Sequence, residues 1–262
     1  MEKIFGINPV VESIKKGIVE EIFVDKYLKN KRLMDLIELA RRKHIKISYL
    51  KKDDLTTFFS TSHHQGVGAI LREINLFFED ELIESLSEDS VVVLLDGITD
   101  PHNLGAILRS CAAFGVDGVF IPKRKSASFS GYVWKSSAGA IPYLRISLVT
   151  NLSRTISKLK ENFFKVVGAH TEGNKNLFEC NLTKGVAIVL GSEGKGMRKK
   201  IVEKCDELIK IPIGRNVESL NVSVSAGIFL YEVMKQRYVK NKKDIGVGMG
   251  TDLTLKKVSG KE

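Results

Sequence analysis

The sequence predicts an α/β protein: a parallel sheet with helices on both faces, preceded by a smaller α/β unit. Three observations carry this. From Ser90 to about Val239, continuous apolar runs alternate with glycine-bearing loops and helical patterns. Residues 73–90 carry seven acids and no base, unlike either flank. Residues 1–72 hold shorter strand and helix patterns of their own.

In the front unit, Asn8-Pro9 followed by VVESIKKG predicts a helix with proline in its first turn, closing at Gly17. Glu21–Val24 reads as a strand. Lys31–Lys43 places Leu33, Leu36, Ile37 and Ala40 on one helical face, with basic residues in the last turn. Ile45–Leu50 and Val67–Leu71 read as strands. The acidic stretch reads as a linker with room for a short amphipathic helix, which gives the boundaries 1–72, 73–89 and 90–240. Beyond the linker, the buried-strand candidates are 91–95, 117–121, 164–169, 186–190 and 207–211. Helices are expected over Leu104–Phe114, Leu152–Glu161, Met197–Cys205 and about Asn221–Tyr238. Residues 241–262 are polar, glycine-bearing and aperiodic, and are expected to form a disordered basic tail.

Composition narrows the classes. Of 262 residues, 43% are hydrophobic and 27% charged, enough to bury a core. No run approaches the roughly 18 apolar residues of a membrane span, and MEKIFGINPVVESIKKG lacks the apolar core of a secretory signal. The expectation is a cytoplasmic protein. Cys111, Cys180 and Cys205 lie far apart, with no C-x-x-C pair, which suits small core thiols in a reducing compartment. Forty-one basic against 31 acidic residues give +10. A surplus of that size suits a polyanionic partner, although basic proteins without nucleic-acid partners are common.

Three segments place glycines and polar residues just after a predicted buried strand, where open α/β sheets bind ligands: 94–115, 188–200 and 209–233. Familiar site motifs fail. Gly191–Gly196 has the wrong glycine order for a dinucleotide loop, and no Walker P-loop exists in the chain. Ser192 is not in G-x-S-x-G. His44, His63, His64, His102 and His170 form no metal-binding pair at helical spacing, so no metal site is expected. In the first segment, Asn103 and Arg109 lie between one and two helical turns apart, near a helix N-terminus that favours anions. Read alone, Asn103 is equally an N-cap and Arg109 a solvated surface residue. Glu193, between close glycines, is equally a turn residue, and Ser219 or Asn221 equally the cap of the last long helix.

Taken together, Asp96-x-x-x-Asp100-Pro-x-Asn103-x-Gly105-Ala-x-x-Arg109-Ser, Val189-Leu-Gly-Ser-Glu-Gly-x-Gly196 and Ile211-Pro-Ile-Gly-Arg-Asn-Val-Glu-Ser219-Leu-Asn-Val-Ser-Val-Ser225 resemble the three signature motifs of the SpoU family of RNA ribose 2′-O-methyltransferases. They occur in order over about 130 residues. In the front unit, Gly6-x-Asn-Pro-Val-x-Glu12 and His64-Gln-Gly-Val-x-Ala69 resemble the ribosomal-protein-like RNA-binding domain of the branch that methylates large-subunit rRNA guanosines.

The resemblance implies a C-terminal domain tied in a deep trefoil knot and a homodimer with its active site near the interface. It implies S-adenosylmethionine held in bent form by Leu190, Gly191, Ile211 and Leu220, largely through main-chain groups and packing. It implies catalytic work by Arg109 with Asn103, Glu193, Ser219 and Asn221, on rRNA. Arg109 is a poor base because a guanidinium keeps its proton, so holding a phosphate and stabilising developing alkoxide charge is the sounder role. Rival readings are a tRNA or antibiotic-resistance rRNA 2′-O-methyltransferase, and a catalytically silent RNA-binding ribosome-assembly factor. The intact Asn103, Arg109, Glu193 and Asn221 speak against the last, and the front unit favours large-subunit rRNA.

Overall fold

The computed structural model describes residues 2–72, 74–214 and 216–244. The front unit runs β1 (Glu2–Phe5), α1 (Ile7–Lys15), β2 (Val19–Asp25), α2 (Lys31–Arg42), β3 (Lys46–Leu50), α3 (Lys52–Phe59) and β4 (Val67–Leu71). Its four strands are ordered β1-β4-β2-β3, with β4 antiparallel to both neighbours and β2 parallel to β3. Helix α2 forms as its pattern predicts. The Asn30 side chain accepts from the Leu33 amide, the apolar stripe of Leu33, Leu36 and Ala40 is buried, and Arg41 and Arg42 sit in the last turn.

The chain continues through α4 (Glu79–Glu84), β5 (Val91–Asp96), α5 (Pro101–Ala113), β6 (Gly118–Pro122), α6 (Gly131–Ser136), β7 (Ile146–Val149) and α7 (Leu152–Glu161). Then come β8 (Lys165–Ala169), β9 (Lys175–Asn176), β10 (Val186–Gly191), α8 (Lys199–Val202), β11 (Glu207–Lys210) and α9 (Val222–Asp244). Strands β5 to β11 form one sheet in the order β7-β6-β5-β10-β8-β11-β9, and every pairing in it is parallel.

Side-chain alternation assigns the two faces of this sheet. Val91, Val93 and Leu95 of β5 join a core with α5, α6, α9 and the front unit. Val92 and Leu94 join a second core with Leu82 and Ile83 of α4, Ile156 and Leu159 of α7, and Ile201 of α8. With both faces covered, β5 is buried along its whole length, which is why it reads as an unbroken apolar run. The acidic stretch does contain a short helix, and α4 plugs the second face rather than hanging between units.

The front sheet docks on α6. Phe5 meets Tyr132 edge-on with ring centroids 5.3 Å apart. A Cβ at Gly131 would lie 2.4 Å from the Phe5 ring, so only glycine permits that approach. Tyr143 Oη donates to Glu12 Oε2 (2.6 Å), and Lys135 Nζ donates to the His63 carbonyl (2.7 Å).

Several expectations change. The helix expected over Met197–Cys205 shrinks to four residues, because Arg198, Lys199 and Lys200 crowd the positive end of its dipole. Strands β1, β7 and β9 and helices α3 and α6 went unread, being short or without clear periodicity. Helix α9 extends to Asp244, past the expected start of the tail at 241; the rest of that tail lies outside the described residues. Among the described residues, no helix is long and apolar enough to cross a membrane.

Candidate active site

In a parallel sheet, ligands collect at the carboxyl ends of the strands where the strand order reverses. That point here is the pair β5 and β10. The chain moves outward from β5 through β6 to β7, then crosses to β8 on the other side and returns to insert β10 between β8 and β5. Their last residues, Asp96 and Gly191, lie opposite each other in register.

Helix α5 opens from the end of β5. Asp100 caps it, accepting from the His102 amide at 2.9 Å, with Pro101 at its first position. Asn103 is therefore not the cap, and its buried side chain is free for other bonds. At the start of α9 the cap is Asn221, not Ser219: Asn221 Oδ1 accepts from the Ser223 amide (2.8 Å) and the Ser223 hydroxyl (2.5 Å). Asn221 Nδ2 donates to Asn103 Oδ1 (3.0 Å) and Glu193 Oε1 (2.5 Å). Turning the amide over would face its oxygen to two acceptors, so the network fixes its orientation. One carboxamide thus joins all three glycine-flanked segments.

The loop after β10 is built on glycine. Ser192 and Gly196 pair through both amides, at 3.1 and 2.8 Å, closing a tight turn with Gly194 and Gly196 in left-handed conformation. At Gly191 a Cβ would fall 2.3 Å from the main chain of Gly196 and Met197, atoms that cannot swing aside. The far end of the turn is held by Asp96. Its buried carboxylate accepts from the Arg198 amide and Nε, each at 2.8 Å, with Nη2 at 2.6 Å. Two guanidinium nitrogens on Oδ1 and the main-chain amide on Oδ2 compensate the desolvation of that carboxylate.

A cavity of about 730 Å³ opens between these loops, within the roughly 300–1,000 Å³ of small-molecule sites. Asp96, Asn103, Glu193 and Val222 line it, with Arg124, Lys125 and Lys195. Arg109 lies outside its lining, exposed on α5 and without a partner among the described residues. Ser219 is likewise exposed and unpartnered among the described residues. Leu190 is buried, while Gly191, Ile211 and Leu220 are half-buried at the ends of β10, β11 and the loop before α9. Cys111, on the core face of α5, has its thiol pushed up to about 12 by burial and is chemically quiet.

Residues 90–231 match the SpoU rRNA methylase family. The chain belongs to that family. Residues 3–76 match the domain described as RNA 2′-O ribose methyltransferase substrate binding. The chain is 41% identical over 239 residues to the 23S rRNA (guanosine-2′-O-)-methyltransferase RlmB of Neisseria meningitidis serogroup B, across 91% of this chain and 95% of that protein. It is 40% identical to the protein of the same name from Xanthomonas campestris pv. campestris, across 89% and 96%. In fold it is similar to the SpoU methyltransferase AviRb from Streptomyces viridochromogenes, crystallised with AdoMet: TM-score 0.76, 23% identity, 90% of each chain.

The SpoU motifs gave Asn103, Glu193 and Asn221, which the fold brings into one network. Two features escaped the sequence reading. Arg198 carries no recognisable pattern, and its bond to Asp96 spans 102 positions. Arg124 and Lys125 sit in the loop after β6, outside every glycine-flanked segment, and only their place in the cavity marks them.

Proposed function

We propose that this chain transfers a methyl group from S-adenosylmethionine to a ribose 2′-hydroxyl, that of a guanosine in large-subunit rRNA. The observation that carries the reading is the Asn221 carboxamide, which ties Asn103 and Glu193 together beside a cavity at the sheet's switch point. The name borne by the relatives at about 40% identity supplies the nucleotide and the RNA.

The residues proposed to hold the donor fit it. Half-buried Ile211 and Leu220 offer apolar surface, with Leu190 in the core at the end of β10, and the main chain of residues 218–220 forms no hydrogen bond among the described residues. A nucleoside held by packing and main-chain groups needs both. When bound, S-adenosylmethionine supplies a methyl group activated by its sulfonium. The protein must align the ribose oxygen with that methyl and manage the hydroxyl proton. In this reading Asn103, Glu193 and Asn221 shape the wall that receives the ribose, with Ser219 beside them. Arg109 remains charged, holds an RNA phosphate and stabilises the developing alkoxide.

Arg109 reaches an active centre most simply from a second copy, since it lies outside the cavity of its own chain. The proposal therefore includes a homodimer, with the exposed Val224, Tyr231, Met234 and Tyr238 of α9 contributing to the contact. It includes a cytoplasmic setting and a trefoil knot, the knot resting on membership of the SpoU family. It also assigns residues 1–72 to RNA binding, 73–89 to the linker and 90–240 to methyl transfer.

The test supplies purified protein with undermethylated rRNA or tRNA and isotopically labelled S-adenosylmethionine, and maps the product by mass spectrometry. Label on a guanosine 2′-oxygen of large-subunit rRNA is expected. Label confined to tRNA would replace the substrate, and no label in either would favour a silent RNA-binding factor.

A further inference from the structure

The cavity beside Asn103 and Glu193 is lined by three carboxylates and four cations. Each carboxylate is already engaged. Asp96 holds Arg198, Asp100 caps α5, and Glu193 accepts from Asn221. Among the cations only Arg198 is matched. Arg124, Lys125 and Lys195 are exposed and form no side-chain hydrogen bond or ion pair among the described residues, although all three line the same cavity. Unpaired cations lining one concavity favour an anion there.

The loop carrying two of them is built in place. The Lys123 amide donates to the Val149 carbonyl and the Ala127 amide to the Ile98 carbonyl, both at 2.8 Å. These bonds pin Arg124 and Lys125 between β7 and the loop that follows β5. Lys125 itself has φ +63, a left-handed conformation that is strained for a side-chain-bearing residue. Lys195 lines the same cavity from the glycine turn that carries Glu193.

We infer that Arg124, Lys125 and Lys195 form a seat for the RNA backbone phosphates that flank the target ribose, separate from any phosphate held by Arg109. This rests on the methyltransferase reading above, and it extends that reading. Every ribose within a strand has a phosphate on each side, so a ribose delivered to Asn103 and Glu193 brings two anions with it. A phosphate seat fixes the strand without reading its sequence.

The experiment compares full-length wild type with Arg124→Ala/Lys125→Ala and, in the glycine turn, with Lys195→Ala. Binding to a large-subunit rRNA transcript is measured by fluorescence anisotropy over a salt series, and binding of S-adenosylmethionine by calorimetry. The double variant is expected to weaken RNA binding about tenfold or more near 0.1 M salt. Its log K against log salt slope should become shallower by about 0.7–0.9 for each phosphate that is no longer neutralised. Lys195→Ala should flatten the slope by the equivalent of about one phosphate, and affinity for S-adenosylmethionine should be unchanged in both variants. An unchanged salt slope in folded variants overturns the seat. So does a loss confined to S-adenosylmethionine binding, which would make its carboxylate the anion. The two readings fail separately: a wild type that methylates nothing sinks the enzyme but leaves the salt slope to decide the seat.

Discussion

Asn221 uses every polar atom of its side chain. Its oxygen caps α9 through Ser223, and its nitrogen bridges Asn103 and Glu193. Capping and bridging can be separated, because an aspartate keeps the first and cannot perform the second. Asn221→Asp retains an acceptor for the Ser223 amide but turns a carboxylate oxygen toward Asn103 Oδ1 and the Glu193 carboxylate. Two hydrogen bonds, one to a charged group, are worth about 3 kcal/mol, or roughly a hundredfold in rate if the site depends on them. Methyl transfer by Asn221→Asp should fall by about that factor with the cap of α9 retained. Near-wild-type activity would remove the bridge from the mechanism. Asn221→Ala should also lose stability, by about 1 kcal/mol, for want of a cap. The type and position of this residue were readable in the sequence; its double duty was not, since either asparagine or serine serves as a cap.

At the scale of elements, the packing of α5 on α6 fixes the wall that carries Asn103. Gly105 lies in α5, where alanine would ordinarily stabilise a helix by about 0.5–1 kcal/mol. Here a Cβ would fall 1.9 Å from Ser136 Oγ and 2.6 Å from the Val133 carbonyl. The serine can rotate, but the carbonyl belongs to the main chain of α6. Overpacking of this kind costs about 1–3 kcal/mol, so the sign reverses. Gly105→Ala should lower the urea midpoint at unchanged m-value, and a raised midpoint would show that the helices can part without strain. The glycine was visible as part of a motif, but the reason for it needed α6, whose six residues offered no periodicity to read.

At the scale of the whole molecule, one apolar core runs from Ile4 and Val10 of the front unit through Trp134 to Val93 and Phe229. The front sheet is clamped on α6 by Phe5, Gly131 and the Tyr143–Glu12 bond. Calorimetric unfolding should therefore show one transition, with van't Hoff and calorimetric enthalpies in agreement. Two resolved transitions would mean that the sheets fold independently despite their shared core. A deletion of residues 1–72 would strip this interface, so point substitutions are the cleaner probe of what the front unit contributes to RNA binding.

The sequence by itself determined the α/β class, the buried strands β5, β6, β8 and β10, the position of β11 (of which only Ile209 is buried), and the three polar segments that follow these strands. Those features are local: burial on both faces writes an apolar run, and a tight turn demands glycine. The tertiary structure alone decided that β10 inserts between β5 and β8, that Asp96 grips Arg198, and that Arg124 and Lys125 line one cavity with Glu193. These arrangements join residues distant in the chain through packing, and side-chain periodicity says which face of a strand is buried but not which strand lies beside it.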